Sequence, residues 1–516
     1  MKKTVNRKSY SPSAAGQAIV NPFVQAMQVA GNNTVTENGA ITNKSTLNYV
    51  LDWFGAGGAL RQRSDADKIT LFSKAFAQDR NLALKILFYF RDVRQGQGER
   101  KTFRTIMNWL GQNYPDVAKK NLENMAFFGR YDDLYCLVGT TLEKDVFALF
   151  TKQLKLDIVN MKKGESVSLL AKWLKSENTS SAESRALGRK TRAAMELTSK
   201  KYRKILSALR KHIDVLEVKM CGKNWAEIDF EKVPSKASLN YRKAFGRHDQ
   251  ERYAAYLKAV EKGEAKMAAG AVYPYEILRS LNVKGGCFSQ PSAQEILAAD
   301  LLWKNQPNWL AGNEHHGLVI ADVSGSMFAS ANGLPALVAI SLAMYFAERN
   351  TGPYKDIWMN FSTSPTFQKF IGNNIWEKSQ NMDRHNWSQS TNLQAAFDLI
   401  LVTAMKNKVA QKDMPSVLYI VSDMEFNVGS PGNNMTNFEV IKKKFANAGY
   451  EMPKVVWWNV DARNEQFPIR ADDTGTALVS GCSPSILKSL LSAKTFDPMS
   501  IVYEVTNSPR YERVTA

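Results

Sequence analysis

At 516 residues, with 44% hydrophobic and 23% charged side chains, the chain has the composition of a globular protein of two or three domains. No apolar run reaches the roughly eighteen residues of a membrane-spanning helix. The basic N-terminus has no apolar secretory segment, and the four cysteines, lacking Cys-x-x-Cys spacing, argue against zinc and for a reducing, cytoplasmic setting.

The net charge of +19 is unevenly spread: residues 311–516 carry 18 Lys+Arg against 19 Asp+Glu, leaving 50 against 30 in the first 310. A polyanion, nucleic acid above all, is the partner such a basic half suggests; a solvated helical surface is the plainer alternative.

Residues 1–42 are polar, with little periodicity, and read as a largely irregular arm. From residue 43 to about 310 the pattern is helical, ending in a connecting segment around Gly285, Gly286, Pro291 and Pro307. Apolar residues three and four apart predict helices over Asp65–Phe76, Asn81–Phe90, Thr102–Leu110, Asp116–Ala126, Asp132–Val138 and Lys144–Lys155. Many short helices in succession point to stacked helical pairs, an α-solenoid or a ring of them, although no clean repeat period is present. Residues 311–516 change grammar. Short apolar runs at Leu318–Ala321, Asp356–Phe361, Val417–Val421, Lys454–Val460 and Thr476–Val479 alternate with helices at Leu334–Glu348, Asn392–Asn407, Asn437–Ala448 and Ser483–Ser492. Strands apolar on both faces require a parallel sheet covered by helices, so this part reads as a doubly wound, Rossmann-like domain with a C-terminal extension. The expected fold class is therefore α + α/β.

Three segments of the α/β part bear on chemistry. The first apolar strand ends in Asp322, followed by Ser324 and Ser326; Thr391 lies in a loop just before a helix; the third strand ends in Ser422-Asp423. Strand ends of one parallel sheet bring such loops to a common rim. Two carboxylates and three hydroxyls, completed by water, suit Mg²⁺ or Mn²⁺. Alone, the Asp-x-Ser-x-Ser loop also reads as a capped turn; the three segments in order favour a metal. These residues resemble the metal-ion-dependent adhesion site of von Willebrand factor A domains, over roughly 317–495. The resemblance implies Ser324, Ser326 and Thr391 as hydroxyl ligands, Asp322 and Asp423 as direct or water-mediated ones, and a role in ligand binding. Gln389-Ser390 stands where that family often has Gly-Gly.

In the helical half, Arg91, Arg94, Arg100, Lys101 and Arg104 crowd a loop in which Gly96 and Gly98 allow close backbone approach to a phosphate. A second basic stretch contains Arg185, Arg189, Lys190, Arg192, Lys201, Lys204 and Lys211. Helical spacing over one long helix turns Lys190, Lys201, Lys204 and Lys211 to one side and Met195, Tyr202, Leu206 and Leu209 to the other. The bland reading of each cluster is a helix hairpin and a solvated face. Nearby Phe88, Tyr89, Phe90, Phe103, Phe127 and Phe128 have the spacing of buried helix faces. The segments Leu51–Arg61 and Arg91–Arg100 resemble the TROVE module of the Ro ribonucleoprotein autoantigen. That resemblance implies HEAT-like helical repeats, a C-terminal von Willebrand factor A domain and RNA binding. A closer resemblance, spanning nearly the whole chain, is to a family of plants, bacteria and their viruses with the same two-part layout. Leu170–Asn178, Lys232–Ala237 and Ser422–Phe426 carry it.

The expectation is a cytoplasmic RNA-binding scaffold, monomeric and without a membrane, holding small non-coding or single-stranded RNA on the basic helices. A protein partner would be recruited through the metal, which lies in the near-neutral half and away from the basic one. The competing reading is an adaptor, such as a partner of an AAA+ ATPase, with no nucleic acid. No Walker loop, nucleophile elbow or histidine metalloenzyme motif is present, and no clear general base stands beside the metal motifs, so catalysis is not expected.

Overall fold

The computed structural model describes residue 27 and residues 31–281, 291–311, 316–361, 364–383, 390–429, 435–493 and 495–516. Most of the expected arm, the Gly285-Gly286 link and Gln389 lie outside them. The architecture is α + α/β: a long helical run followed by a largely parallel six-stranded sheet.

The described end of the arm is a hairpin of β1 (Asn33–Val35) and β2 (Ile41–Asn43). Helices follow at Tyr49–Gly57, Asp65–Gln78, Arg80–Arg91 and Lys101–Asn113. Ser64 and Asp79 start the second and third by accepting the amides of Asp67 and Leu82, which offsets donors that have no partner inside the helix. The expected Asp116–Ala126 helix is two, Pro115–Lys120 and Leu122–Phe128, broken at Asn121. Residues Tyr131–Leu137 form a tighter 3-10 turn, and Glu143–Lys163 a helix ending on left-handed Gly164. The long basic helix is also divided, into Ala182–Ala194 and Ser199–His212. Glu196 takes a left-handed φ of 54°, and Thr198 caps the second helix through the Lys201 amide. Lys190 therefore does not share a helix face with Lys201, Lys204 and Lys211.

In the sheet, β3 (Gly317–Ala321), β4 (Ile357–Asn360), β6 (Val417–Ser422), β7 (Lys454–Asn459) and β8 (Thr476–Ser480) are parallel. With a short strand β5 (Phe367–Lys369) at one edge, the order is β5-β4-β3-β6-β7-β8. The five expected strands are present within a residue or two. The sixth, β5, adds antiparallel to β4 at the edge, where three half-exposed residues leave no apolar pattern to find. β3, β6 and β8 are buried along their whole length, as a sheet covered on both faces requires. The segment Gly325–Arg349 is long and apolar enough to cross a membrane by composition. Within it, however, Ala331, Asn332 and Gly333 take positive φ, and Pro335–Ala347 of the helix Leu334–Arg349 are buried in the protein core.

Both ends of the helical run dock on the α/β part. Helix Tyr49–Gly57 lies against β8, so closely that a Cβ on Gly55 would overlap Leu478. Ser480 Oγ donates to the Phe54 carbonyl at 2.7 Å and accepts the Gly58 amide at 3.0 Å. At the other end, helices Pro274–Ser280 and Ala293–Lys304 pack on Leu334–Arg349 and Ile375–Asp383. The C-terminal helix Pro498–Thr506 returns to Arg80–Arg91. The run is thus an arc closed by the α/β part, with one continuous hydrophobic core across the contacts.

Candidate metal centre and nucleic-acid interface

The strand order reverses between β3 and β6, and ligands of open α/β sheets gather beyond the carboxyl ends of strands at such a point. Asp322 follows β3 and Asp423 follows β6; Ala321 pairs with Val421, and the Asp322 amide donates to the Val421 carbonyl at 2.9 Å. Asp322 is fully buried: Oδ1 accepts the Ser324 amide at 3.0 Å, and Oδ2 accepts the Ser422 hydroxyl at 2.6 Å. Burial, and then the charge of Asp423, raise its carboxyl above the usual range, while the Ser422 and Ser324 hydrogen bonds oppose them. Two buried carboxylates side by side are the condition that a cation relieves.

Ser324 Oγ and Ser326 Oγ lie 3.1 Å apart, and Ser326 Oγ donates to Asp423 Oδ2 at 2.9 Å. Adjacent ligands of an octahedral ion with bonds of about 2.1 Å stand about 3 Å apart, so these hydroxyls and this carboxylate oxygen have the spacing of its edges. Thr391 is buried, and its loop is joined to the Asp423 loop through Asn427. The Asn427 side-chain oxygen accepts the Thr391 backbone amide at 2.6 Å, and the Asn427 backbone amide donates to the Thr391 carbonyl at 3.0 Å. All three sequence segments thus reach one rim, and the hard-oxygen donor set fits Mg²⁺ or Mn²⁺. Among the described residues, no three His, Cys, Asp or Glu side chains form a metal-holding group, so such a site relies on its hydroxyls.

Sequence reasoning missed the residue on the other side of Asp423. Arg463, in the loop after β7, places Nη2 2.7 Å from Asp423 Oδ2 and Nη1 3.0 Å from Glu37 Oε2 of the N-terminal hairpin. It also missed Asp461, although an acid closing the apolar β7 run carries the same signal as Asp322 and Asp423. The hairpin is bound to this rim elsewhere: Thr36 Oγ1 donates to the Phe426 carbonyl at 2.6 Å, and the Glu37 amide to Glu425 Oε2 at 2.7 Å.

The helical arc encloses a cavity of about 1210 Å³, lined from Arg61 at one end of the run to Glu276 at the other. Of the first basic cluster, Arg91, Arg94, Arg100 and Lys101 line it, the last three with side chains outside any ion pair among the described residues. Burial, and then Arg130 and Arg104 nearby, lower the Arg100 pKa against the opposing pull of Asp132 and Asp133. Arg91 and Arg104 have other work. Arg91 is 2% exposed and holds Asp133 at 2.7 Å; Arg104 reaches Asp133 at 2.7 Å and Asp132 at 2.9 Å. Arg130, unremarked in the sequence, also pairs with Asp132 and stacks its guanidinium 3.9 Å from the Trp173 ring, on the cavity wall.

The second cluster does not reach this cavity. Arg185 caps the Thr179 and Ser180 carbonyls, and Arg192 pairs with Glu177 at 2.8 Å. Lys190 pairs with Glu143 and lines a separate lysine-rich groove with Lys144, Lys152 and Lys155. Arg189, Lys201, Lys204 and Lys211 are exposed. Nor are the basic half and the metal motifs far apart. Arg61 lines the cavity and acts electrostatically on Asp461, while Arg63 Nη1 donates to the Arg463 carbonyl at 2.7 Å.

A basic helical arc closed on an α/β sheet with an acidic rim defines the class of protein, and comparison supplies the family. Residues 36–138 and 140–307 match a domain of unknown function, DUF2828, and residues 316–513 match a second, DUF7788. The chain belongs to the DUF2828 family. It is 31% identical over 512 residues to the uncharacterised protein L728 of Acanthamoeba polyphaga mimivirus, covering 92% of this chain and 87% of that one. Among solved structures, the Ro (RSR) protein of Deinococcus radiodurans is similar at 14% identity and a TM-score of 0.48, over 90% of this chain and all of that one.

Proposed function

We propose that the chain is the RNA-binding scaffold of a ribonucleoprotein. Its TROVE-like helical-repeat arc takes small non-coding or single-stranded RNA, and its von Willebrand factor A-like domain holds a protein partner through Mg²⁺ or Mn²⁺. The observation that carries the reading is the cavity: Arg94, Arg100 and Lys101, free of carboxylate partners among the described residues, share a wall with Trp173 and Tyr273. Guanidinium groups bind phosphates bidentately, and aromatic faces stack bases for about 1–3 kcal/mol each, the combination that single-stranded nucleic acid requires. At the acidic rim, the carboxylates and hydroxyls serve to bind and not to catalyse. Cytoplasmic residence accompanies the reading.

The test is crosslinking of the full chain to cellular RNA with sequencing of what is bound, followed by affinity measurements on the Arg94→Ala, Arg100→Ala double variant. The expected result is an enriched RNA class, with affinity lost by about tenfold per arginine across sequences. No enriched RNA, or wild-type affinity in the double variant, overturns it.

A further inference from the structure

We propose that the Arg463 guanidinium is a built-in competitor for the cation position at Asp423, and that a divalent cation enters as Arg463 transfers to the carboxylate of Asp461. The inference rests on the metal reading above and adds a residue that governs access to it.

The contested atom is Asp423 Oδ2. It receives the Ser326 hydroxyl at 2.9 Å, the edge a metal would use, and the Arg463 guanidinium at 2.7 Å. A guanidinium and a divalent cation repel, so the oxygen cannot serve both in a buried setting where Asp423 is 3% exposed. The displaced side chain has a place to go. Asp461 is 4% exposed; its carboxyl takes a hydrogen bond from Ser330, but Oδ2 has no hydrogen-bond partner, and two residues on, the buried Nε of Arg463 has none either. A donor and an acceptor both left unpaired in the interior are costly, and pairing them removes both costs. The electrostatic field of Arg463 already acts on Asp461.

The backbone of the loop is held by bonds that do not involve the Arg463 side chain. The Arg463 carbonyl accepts Arg63 Nη1 at 2.7 Å, the Arg463 amide donates to the Asp461 carbonyl at 2.9 Å, and the Ala462 amide donates to the Ala59 carbonyl at 3.2 Å. The far end of the guanidinium rests on Glu37, which is half-exposed and also accepts Asn464 Nδ2 at 2.9 Å. Movement of Arg463 therefore reaches the N-terminal hairpin through Glu37.

The experiment is a titration of the full chain with Mn²⁺, following the free ion by electron paramagnetic resonance, for the wild type, Asp322→Ala, Arg463→Ala, Arg463→Gln, Asp461→Asn and the Arg463→Ala, Asp461→Asn pair. Circular dichroism confirms that each is folded. Arg463→Ala and Arg463→Gln should bind Mn²⁺ about tenfold tighter or more. Asp461→Asn should weaken binding when Arg463 is present and have little effect when it is absent, a non-additivity that general loss of negative charge does not produce. Unchanged or weaker binding in both Arg463 variants overturns the competition, and equal effects of Asp461→Asn in the two backgrounds overturn the transfer. The metal reading fails separately: either neither the wild type nor Arg463→Ala binds Mn²⁺, or Asp322→Ala binds it as the wild type does.

Discussion

Arg91 ends helix Arg80–Arg91 and Arg94 lies three positions on in the loop that follows, and burial divides their tasks. Arg91 is enclosed with Asp133, a carboxylate 42 residues further on that no spacing rule connects to it. Arg94 faces the cavity. Replacing Arg91 by Ala removes one of the cations around a fully buried carboxylate and should cost about 3 kcal/mol of unfolding free energy, read by urea denaturation. Arg94→Ala should stay within about 0.5 kcal/mol of the wild type. Equal losses would place both arginines in the same structural role. At this scale the segments that meet at the rim were legible because the acids are a local signal, each closing an apolar strand with hydroxyls beside it. Arg463 and Glu37 were not, since the loop and hairpin that carry them meet the rim only after the whole chain has folded.

Helices and strands were legible where apolar periodicity lasts for two turns or four strand residues, and least so at breaks and edges. One turn at Glu196 divides the basic stretch, and only Thr198, a helix-capping residue type, signals it in the sequence. The C-terminal segment is the larger omission, because its partner is distant. Asp92, fully buried at the end of helix Arg80–Arg91, accepts both Nε and Nη2 of Arg510 and, at 3.1 Å, the Tyr511 hydroxyl. Tyr511 stacks on Phe128 at 5.3 Å, and Arg513 covers Phe127 at 4.0 Å. This clasp ties the end of the chain to the helices beside the cavity. Asp92→Ala leaves Arg510 without its counter-charge and should cost about 3 kcal/mol. Amide hydrogen exchange over 498–516 should rise with it. Unchanged protection there would show that the apolar contacts hold the segment by themselves.

Across the whole molecule, the charge division was plain in the composition, whereas its geometry depended on closure of the arc. Fifty basic residues in the first 310 do not say which of them face a ligand. The fold sorts them into a cavity set that includes Arg94 and Arg100 and an outer set that includes Lys201, Lys204 and Lys211. Salt dependence separates the two. Each phosphate neutralised on a single strand contributes about −0.7 to the slope of log K against log salt, because binding releases condensed counterions. If RNA lies in the cavity, the Arg94→Ala, Arg100→Ala variant should lose about 1.4 of that slope. The Lys201→Ala, Lys204→Ala, Lys211→Ala variant should keep both affinity and slope. The reverse pattern would move the RNA to the outer face of helix Ser199–His212. A slope untouched by either variant would mean that neither surface meets phosphate, and that the excess positive charge of the helical half serves another polyanion or solvation alone.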